Sequence, residues 1–153
     1  MNRRAAIAMT AAEAAAFLEG SRIVTCATIG RDGRPHLMPL WYVVRDAELW
    51  AWTYAKSQKV RNLERDPRCT LQAETGVEYG ELRGVMLGCD AVIHRDVDTV
   101  APLGAEIARR YGGGDLTAEA EAALRAQAAK RVGLQFVERR RASWDHRKLG
   151  GTY

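Results

Sequence analysis

The residues of this chain best placed to do chemistry lie between Thr53 and Arg68. In order they read Thr53-Tyr54-Ala55-Lys56-Ser57-Gln58-Lys59-Val60-Arg61-Asn62-Leu63-Glu64-Arg65-Asp66-Pro67-Arg68. Five cations stand against two acids there, and because the whole chain carries a net charge of only +4, most of its excess sits in this stretch. Ser57 is a suitable N-cap, with a side-chain oxygen able to accept an orphan N–H of a first helical turn. The helix it opens must stop before Pro67, because a residue preceding proline is pushed out of the helical region. Lys59 and Asn62 lie three apart and share one face; Val60 and Leu63 share the neighbouring face, which can pack inward. Hydroxyls at Thr53 and Ser57, lysines beside them and a helix start together make an anion site, since orphan N–H groups and the helix dipole both favour negative charge. The same stretch also reads as a solvated basic surface helix. The convergence of cations on a hydroxyl-bearing helix start favours the anion site.

Other reactive side chains are sparse. His36, His94 and His146 are scattered, without carboxylates at metal-ligand spacing, so no metal is expected. Cys26, Cys69 and Cys89 are odd in number, form no Cys-x-x-Cys and sit among apolar and β-branched residues, as small buried hydrophobes in strands do. A pI of about 9.2 permits acidic partners. There is no RNA-binding or helix-turn-helix signature, and no nucleic-acid partner is expected. No apolar run is long enough to span a membrane. The apolar run within residues 3–9 is too short for an export signal and Glu13 soon interrupts it, which makes the cytoplasm the expected compartment.

These residues need elements to position them. With 153 residues and 47% hydrophobic composition the chain suits a single domain. Thr10 and Glu13 form a capping box that opens a helix over residues 11–19, ended by Gly20. Residues 22–29 read as a buried strand, and Gly30-Arg31-Asp32-Gly33 as a hairpin turn. Residues 35–44 form a second strand, in which Pro39 marks an edge or a bulge. Residues 48–54 make a third strand, followed by the cationic helix. Strands four and five run over 68–74 and 81–94, the fifth bearing Gly84 and Gly88 as points of bending or close backbone approach. Helices over 100–111 and 118–131 and a sixth strand over 132–137 complete the order. Hairpin-linked strands with few helical crossovers predict a mainly β protein with peripheral α-helices: a six-stranded antiparallel barrel, closed so that no edge is exposed.

Taken together, the short motifs become familiar. Gly33-Arg34-Pro35-His36, Pro39-Leu40-Trp41-Tyr42, Lys56-Ser57-Gln58-Lys59-Val60-Arg61-Asn62-Leu63, Asp66-Pro67-Arg68 and Ser143-Trp144-Asp145-His146-Arg147-Lys148 stand in an order that resembles the split β-barrel flavin and deazaflavin oxidoreductases. That superfamily includes pyridoxamine 5′-phosphate oxidase, and the resemblance spans residues 10–149. Within it the chain is most similar to the branch that uses coenzyme F-420, a deazaflavin with a phospholactyl-oligoglutamate tail. The resemblance implies an FMN-binding-type split barrel and a homodimer with a cofactor cleft between subunits. It puts the tail phosphate near Lys56, Ser57 and Lys59, with Thr53 and Asn62 close by. The ring would lie against the backbone of Met38, Pro39, Leu40 and Trp41, and Trp144 to Lys148 would come from the second subunit.

The implied activity is hydride transfer from the reduced deazaflavin to a small conjugated organic substrate, with His36 and Tyr79 as the candidate proton donors. The oxidase's own substrate-binding C-terminal signature is missing. Two alternatives remain open: an FMN-dependent enzyme of the pyridoxamine 5′-phosphate oxidase type, and a non-catalytic deazaflavin-binding or carrier protein.

Overall fold

The computed structural model describes residues 3–150. Five helices and seven strands follow in the order α1 (Arg3–Ile7), α2 (Ala11–Gly20), β1 (Val24–Ile29), β2 (Pro35–Leu40), β3 (Val43–Arg45), β4 (Glu48–Tyr54), α3 (Gln58–Arg65), β5 (Arg68–Thr75), β6 (Arg83–His94), α4 (Val97–Gly112), α5 (Ala118–Ala128) and β7 (Arg131–Asp145), with two short 3-10 turns at Tyr79–Glu81 and His146–Leu149. All strand pairs are antiparallel, and the sheet order is β2-β1-β5-β6-β7-β4-β3.

The expected six-stranded closed barrel is corrected in two respects. There are seven strands, and the sheet is open, with β2 and β3 as its two edges. Both differences arise at Trp41-Tyr42, which interrupts what the sequence suggests is one strand over 35–44. The Tyr42 N–H donates to the Tyr111 hydroxyl (3.0 Å), which also lies 3.0 Å from the Tyr42 carbonyl. The Tyr42 N–H is thus satisfied by a helix side chain whose hydroxyl hydrogen is shared between the Tyr42 and Arg22 carbonyls, so the chain can leave one edge of the sheet and begin the other. The Tyr42 ring is fully buried, its hydroxyl at the Leu18 and Ser21 carbonyls, and burial pushes its pKa up to about 12.

The main core lies inside the curled sheet, where Val24, Cys26, Leu71, Val85, Leu87, Leu134 and Phe136 meet Val60 and Leu63 from α3. A second cluster sits under α4, where Leu103 and Ile107 pack with Val43, Trp50 and Trp52. Gly104 is required there, because a Cβ would meet the Trp52 ring at 2.4 Å. The capping box forms as read from Thr10 and Glu13. Helix α4 begins three residues before the expected 100, since Asp96 caps it through the Thr99 N–H. Strand β7 continues eight residues past the expected 137, pairing with β6 along its length around a bulge at Gly88/Cys89.

Two carboxylates set the acid limit of this fold. The Arg147 guanidinium holds the buried Asp145 carboxyl below its ordinary range, through contacts of 2.6 and 2.9 Å, and Arg68 holds Asp66 down to about 2. A depressed folded-state pKa contributes stability that is present above the unfolded value, about 3.9 for Asp, and is lost as pH falls through the folded value. The thermal midpoint followed by circular dichroism should therefore fall steeply between about pH 4 and pH 2. Replacing Asp145 by Asn should shrink that fall.

Candidate anion and ring site

Helix α3 is placed by its apolar face. Val60 and Leu63 enter the core, and this carries Lys59 and Asn62 inward with them. Asn62 is fully buried: its Nδ2 donates to Thr28 Oγ1 (3.0 Å), and its Oδ1 accepts from Gln58 (2.9 Å) and Arg65 (3.2 Å). Both ends of its amide are committed within the chain, so Asn62 pins α3 to β1. Lys59 is 8% exposed, and its ammonium donates to Thr53 Oγ1 at 3.1 Å. No acid pairs with it among the described residues. Burial lowers its pKa, as expected for a cation withdrawn from water without a counter-charge.

Ser57 occupies the N-cap position with extended backbone, but its hydroxyl makes no cap bond, contrary to the sequence reading. That oxygen is buried and without a partner, as is His36 Nδ1. A buried polar atom without a partner costs about 1–3 kcal/mol, and Ser57 and His36 each carry one. His36, Arg34, Gln58 and Asn62 line a groove of about 350 Å³ between α3 and the β1–β2 turn. Lys56, two residues before Gln58, is exposed. Of the five cations in the stretch, Arg68 alone forms an ion pair among the described residues, with Asp66.

Strand β2 supplies the adjoining wall. The Gly30 N–H donates to the Arg34 carbonyl (2.8 Å), and the β1–β2 register continues Thr28↔His36, Cys26↔Met38 and Val24↔Leu40. Antiparallel ladders alternate, so His36, Met38 and Leu40 turn their main-chain groups to β1, while Pro35, Leu37 and Pro39 turn theirs to the open edge. The prolines have no N–H, which leaves Leu37 as the single donor on that edge, flanked by three carbonyls. The sequence marks Pro39 as an edge or bulge position, and it lies on an edge. Trp41, at the end of β2, is 55% exposed; one face of its indole lies on the Tyr111 ring at 4.4 Å and 8°. Tyr111 carries no motif, and only the fold shows it.

The remaining candidates lie elsewhere in the single chain. Trp144 covers Gly84, where a Cβ would meet its ring at 2.2 Å, and Lys148 is bonded to Glu13 (2.7 Å) and the Ala8 carbonyl (2.9 Å). Both are at the far end of β7 from Arg131, which pairs with Tyr54. At about 3.3 Å per residue, that is roughly 45 Å of strand. Tyr79 also lies at that far end, its ring 4.5 Å from His146. Of the two proton-donor candidates, the structure thus brings His36 to the α3 groove and leaves Tyr79 away from it.

Thiol chemistry has no support. Cys26, Cys69 and Cys89 are buried and free. A hydrogen bond to Cys26 and burial push the Cys69 thiol up, and burial pushes Cys89 up to about 12. A larger groove of about 570 Å³ lies on the outer sheet face over Gly88 and Arg140. None of the unpartnered buried side-chain atoms found among the described residues lines it.

Fold and site together define an open antiparallel sheet of the split-barrel type with a groove between α3 and the β1–β2 turn. The chain belongs to the pyridoxamine 5′-phosphate oxidase family, whose model matches residues 10–144. Among solved structures it is similar to a conserved hypothetical protein from Mycobacterium tuberculosis, with 45% identity, a TM-score of 0.90, and coverage of 98% of this chain and 93% of that one. It is also similar to an F-420 reductase, with 21% identity, a TM-score of 0.64 and coverage of 83% and 94%. A FAD-binding protein from Mesorhizobium loti follows, with 17% identity, a TM-score of 0.68 and coverage of 89% and 94%. At those identities the last two comparisons speak for the fold alone. There is no match among curated proteins. Among the described residues, no helix is long and apolar enough to cross a membrane.

Proposed function

We propose that this protein is an oxidoreductase that holds coenzyme F-420 and passes a hydride from it to a small conjugated organic molecule. The observation that carries this reading is Lys59, buried without an acid among the described residues, two residues from the unpartnered Ser57 hydroxyl on a helix that borders the groove at the β1–β2 turn. These residues fit the group. Lys59, Ser57 and the exposed Lys56 would hold the tail phosphate, with Thr53 orienting the Lys59 ammonium. The Leu37 N–H and the carbonyls of Pro35, Leu37 and Pro39 would meet the polar rim of the ring along Met38 to Trp41. The bound deazaflavin supplies the hydride, as cofactors supply the demanding step generally.

The protein's own residues position, exclude water and handle the proton. Trp41, backed by Tyr111, offers its open face to a planar acceptor. His36 holds a proton at the groove, through the ring nitrogen that has no internal partner. The reading includes a homodimer in which Trp144 and Lys148 would come from the second copy; twofold assemblies are the commonest closed form.

Titration with the deazaflavin cofactor and with FMN, followed by tryptophan fluorescence, tests the reading. Saturable quenching by the deazaflavin alone is the expected result. A yellow protein that retains FMN would replace it with the FMN enzyme, and deazaflavin binding without turnover on enones or quinones would favour a carrier. Light scattering of the purified protein should give twice the chain mass, and a monomer that binds cofactor tightly would remove the partner's Trp144 from the site.

A further inference from the structure

A cavity of about 670 Å³ lies between α2 and the ends of β5, β6 and β7. None of its lining residues borders the α3 groove. Along β6 the two regions are well apart. The Ala91 N–H donates to the carbonyl of Pro67, just past α3 (2.8 Å), and Arg83 stands eight residues earlier, roughly 26 Å of strand. Thr75, Arg83 and Asp145 are register partners on three neighbouring strands, so their side chains form one row at this end of the sheet. Ala73 and Val85, each two residues inward from that row, are buried in the core, so the row lies on the core face. Met9, Phe17 and Ile23 give the cavity an apolar wall.

Arg83 is the cation in this cavity that the fold leaves unengaged. It is half-buried, with its guanidinium carbon 5.4 Å from the centre of the Phe17 ring. No ion pair engages it among the described residues. Asp145, opposite it, is held by Arg147 instead, through contacts of 2.6 and 2.9 Å. A guanidinium presents paired N–H donors that fit the two oxygens of a carboxylate. Three arginines and three acids line the cavity, so its walls sum to neutral. One negative charge beside Arg83 is compensated there, whereas a second would meet Glu74 and Asp145. A monoanion therefore suits the cavity better than a phosphate dianion. Small-molecule sites are of this size, mostly apolar with a few polar groups, and recur in the mouths of barrels.

We infer that the cavity under α2 is a binding site, separate from the α3 groove, for a small monocarboxylate with an apolar or aromatic body. The carboxylate meets Arg83, with the Thr75 hydroxyl as a further donor, and the body lies against Phe17, Met9 and Ile23. The inference does not depend on which cofactor the α3 groove holds, or on whether it holds one.

The test is calorimetric titration of the full chain with 3-phenylpropionate, its neutral amide and the doubly charged phenyl phosphate. The native protein should bind the carboxylate saturably and the other two at least tenfold more weakly, since a hydrogen-bonded charge pair is lost or a repulsion added. Arg83→Met should weaken the carboxylate at least tenfold. Ala16 lines the cavity from an exposed position of α2, so Ala16→Trp should fill the apolar side and abolish binding with an unchanged melting midpoint. That variant decides the matter if Arg83→Met does not fold. The deazaflavin cofactor at saturation should not displace the probe. No saturable binding, equal binding of the amide or of phenyl phosphate, a native titration in a folded Arg83→Met or Ala16→Trp protein, or displacement by the cofactor would each overturn the inference. Probe binding in a protein that binds no deazaflavin removes the cofactor reading and leaves this site standing; cofactor binding in a protein that ignores the probe does the reverse.

Discussion

Replacing Lys59 by Met makes the free protein more resistant to heat and at the same time weakens its hold on cofactor at least tenfold. Both effects follow from one observation: an ammonium that is 8% exposed and bonded to a single neutral hydroxyl, Thr53. Burying a charge without an opposite charge is unfavourable, and replacing buried ionic groups with apolar ones of similar volume is often neutral or stabilising by about 1–4 kcal/mol. Met matches the lysine stem closely. A gain of about 1 kcal/mol would raise the midpoint by about 2–4 °C in a chain of this size.

The pH dependence separates this account from simple repacking. Burial lowers the Lys59 pKa, so between that value and the ordinary one of about 10.4 the unfolded chain binds more protons than the folded one. Stability contributed by this site therefore rises with pH across that window, and Lys59→Met removes the rise. On the binding side, a tenfold loss corresponds to about 1.4 kcal/mol, modest for a charge-assisted contact to phosphate. Melting curves from pH 7 to pH 10 and a cofactor titration check both halves. If stability and affinity fall together, Lys59 serves the fold; if affinity is unchanged, the phosphate lies elsewhere.

Tyr111→Phe should lower the midpoint by about 3–10 °C while leaving the ring stack in place. The lost hydroxyl accepts the Tyr42 N–H at 3.0 Å and lies 2.7 Å from the Arg22 carbonyl. A buried N–H left without an acceptor costs about 1–3 kcal/mol, and the range in degrees follows from chain length. Tyr111→Leu should do more, because it also removes the face against which Trp41 rests. Trp41 then becomes more accessible to acrylamide, read as the difference from a Trp41→Phe background. Affinity for a planar ligand should drop about threefold to tenfold, the value of one aromatic contact. A Tyr111→Leu protein with native quenching and native ligand affinity would show that Trp41 is held by other means and forms no wall.

Much of this arrangement could be read from the residues. Thr10 with Glu13, the β-branched run of β1, and the helix stop before Pro67 all gave local signals that tertiary packing did not override, whereas the Ser57 hydroxyl makes no cap bond. The open edge was half visible: Pro39 announced it, but the single Leu37 donor emerges only from the register that the Gly30–Arg34 bond sets. Trp41-Tyr42 hid the break between β2 and β3, because its cause is the hydroxyl of Tyr111, about seventy residues away in sequence. Local pattern cannot report so distant a partner. The burial of Lys59 was likewise invisible, since its placement depends on how deeply Val60 and Leu63 pull α3 into the core. Arg83 gave no signal as an isolated residue, and became notable once α2 set Phe17 beside it.

The spacing of Pro35 and Pro39 has a further consequence, for behaviour at high concentration. A bare sheet margin normally templates strands from neighbouring molecules, the first step toward fibrils. A foreign strand approaching β2 would find one amide hydrogen, at Leu37, where a growing cross-β stack needs one at every second residue. The same two imino acids that keep the margin vacant for a small planar guest thus deny it to another polypeptide, and the protein can carry an unpaired strand without polymerising through it.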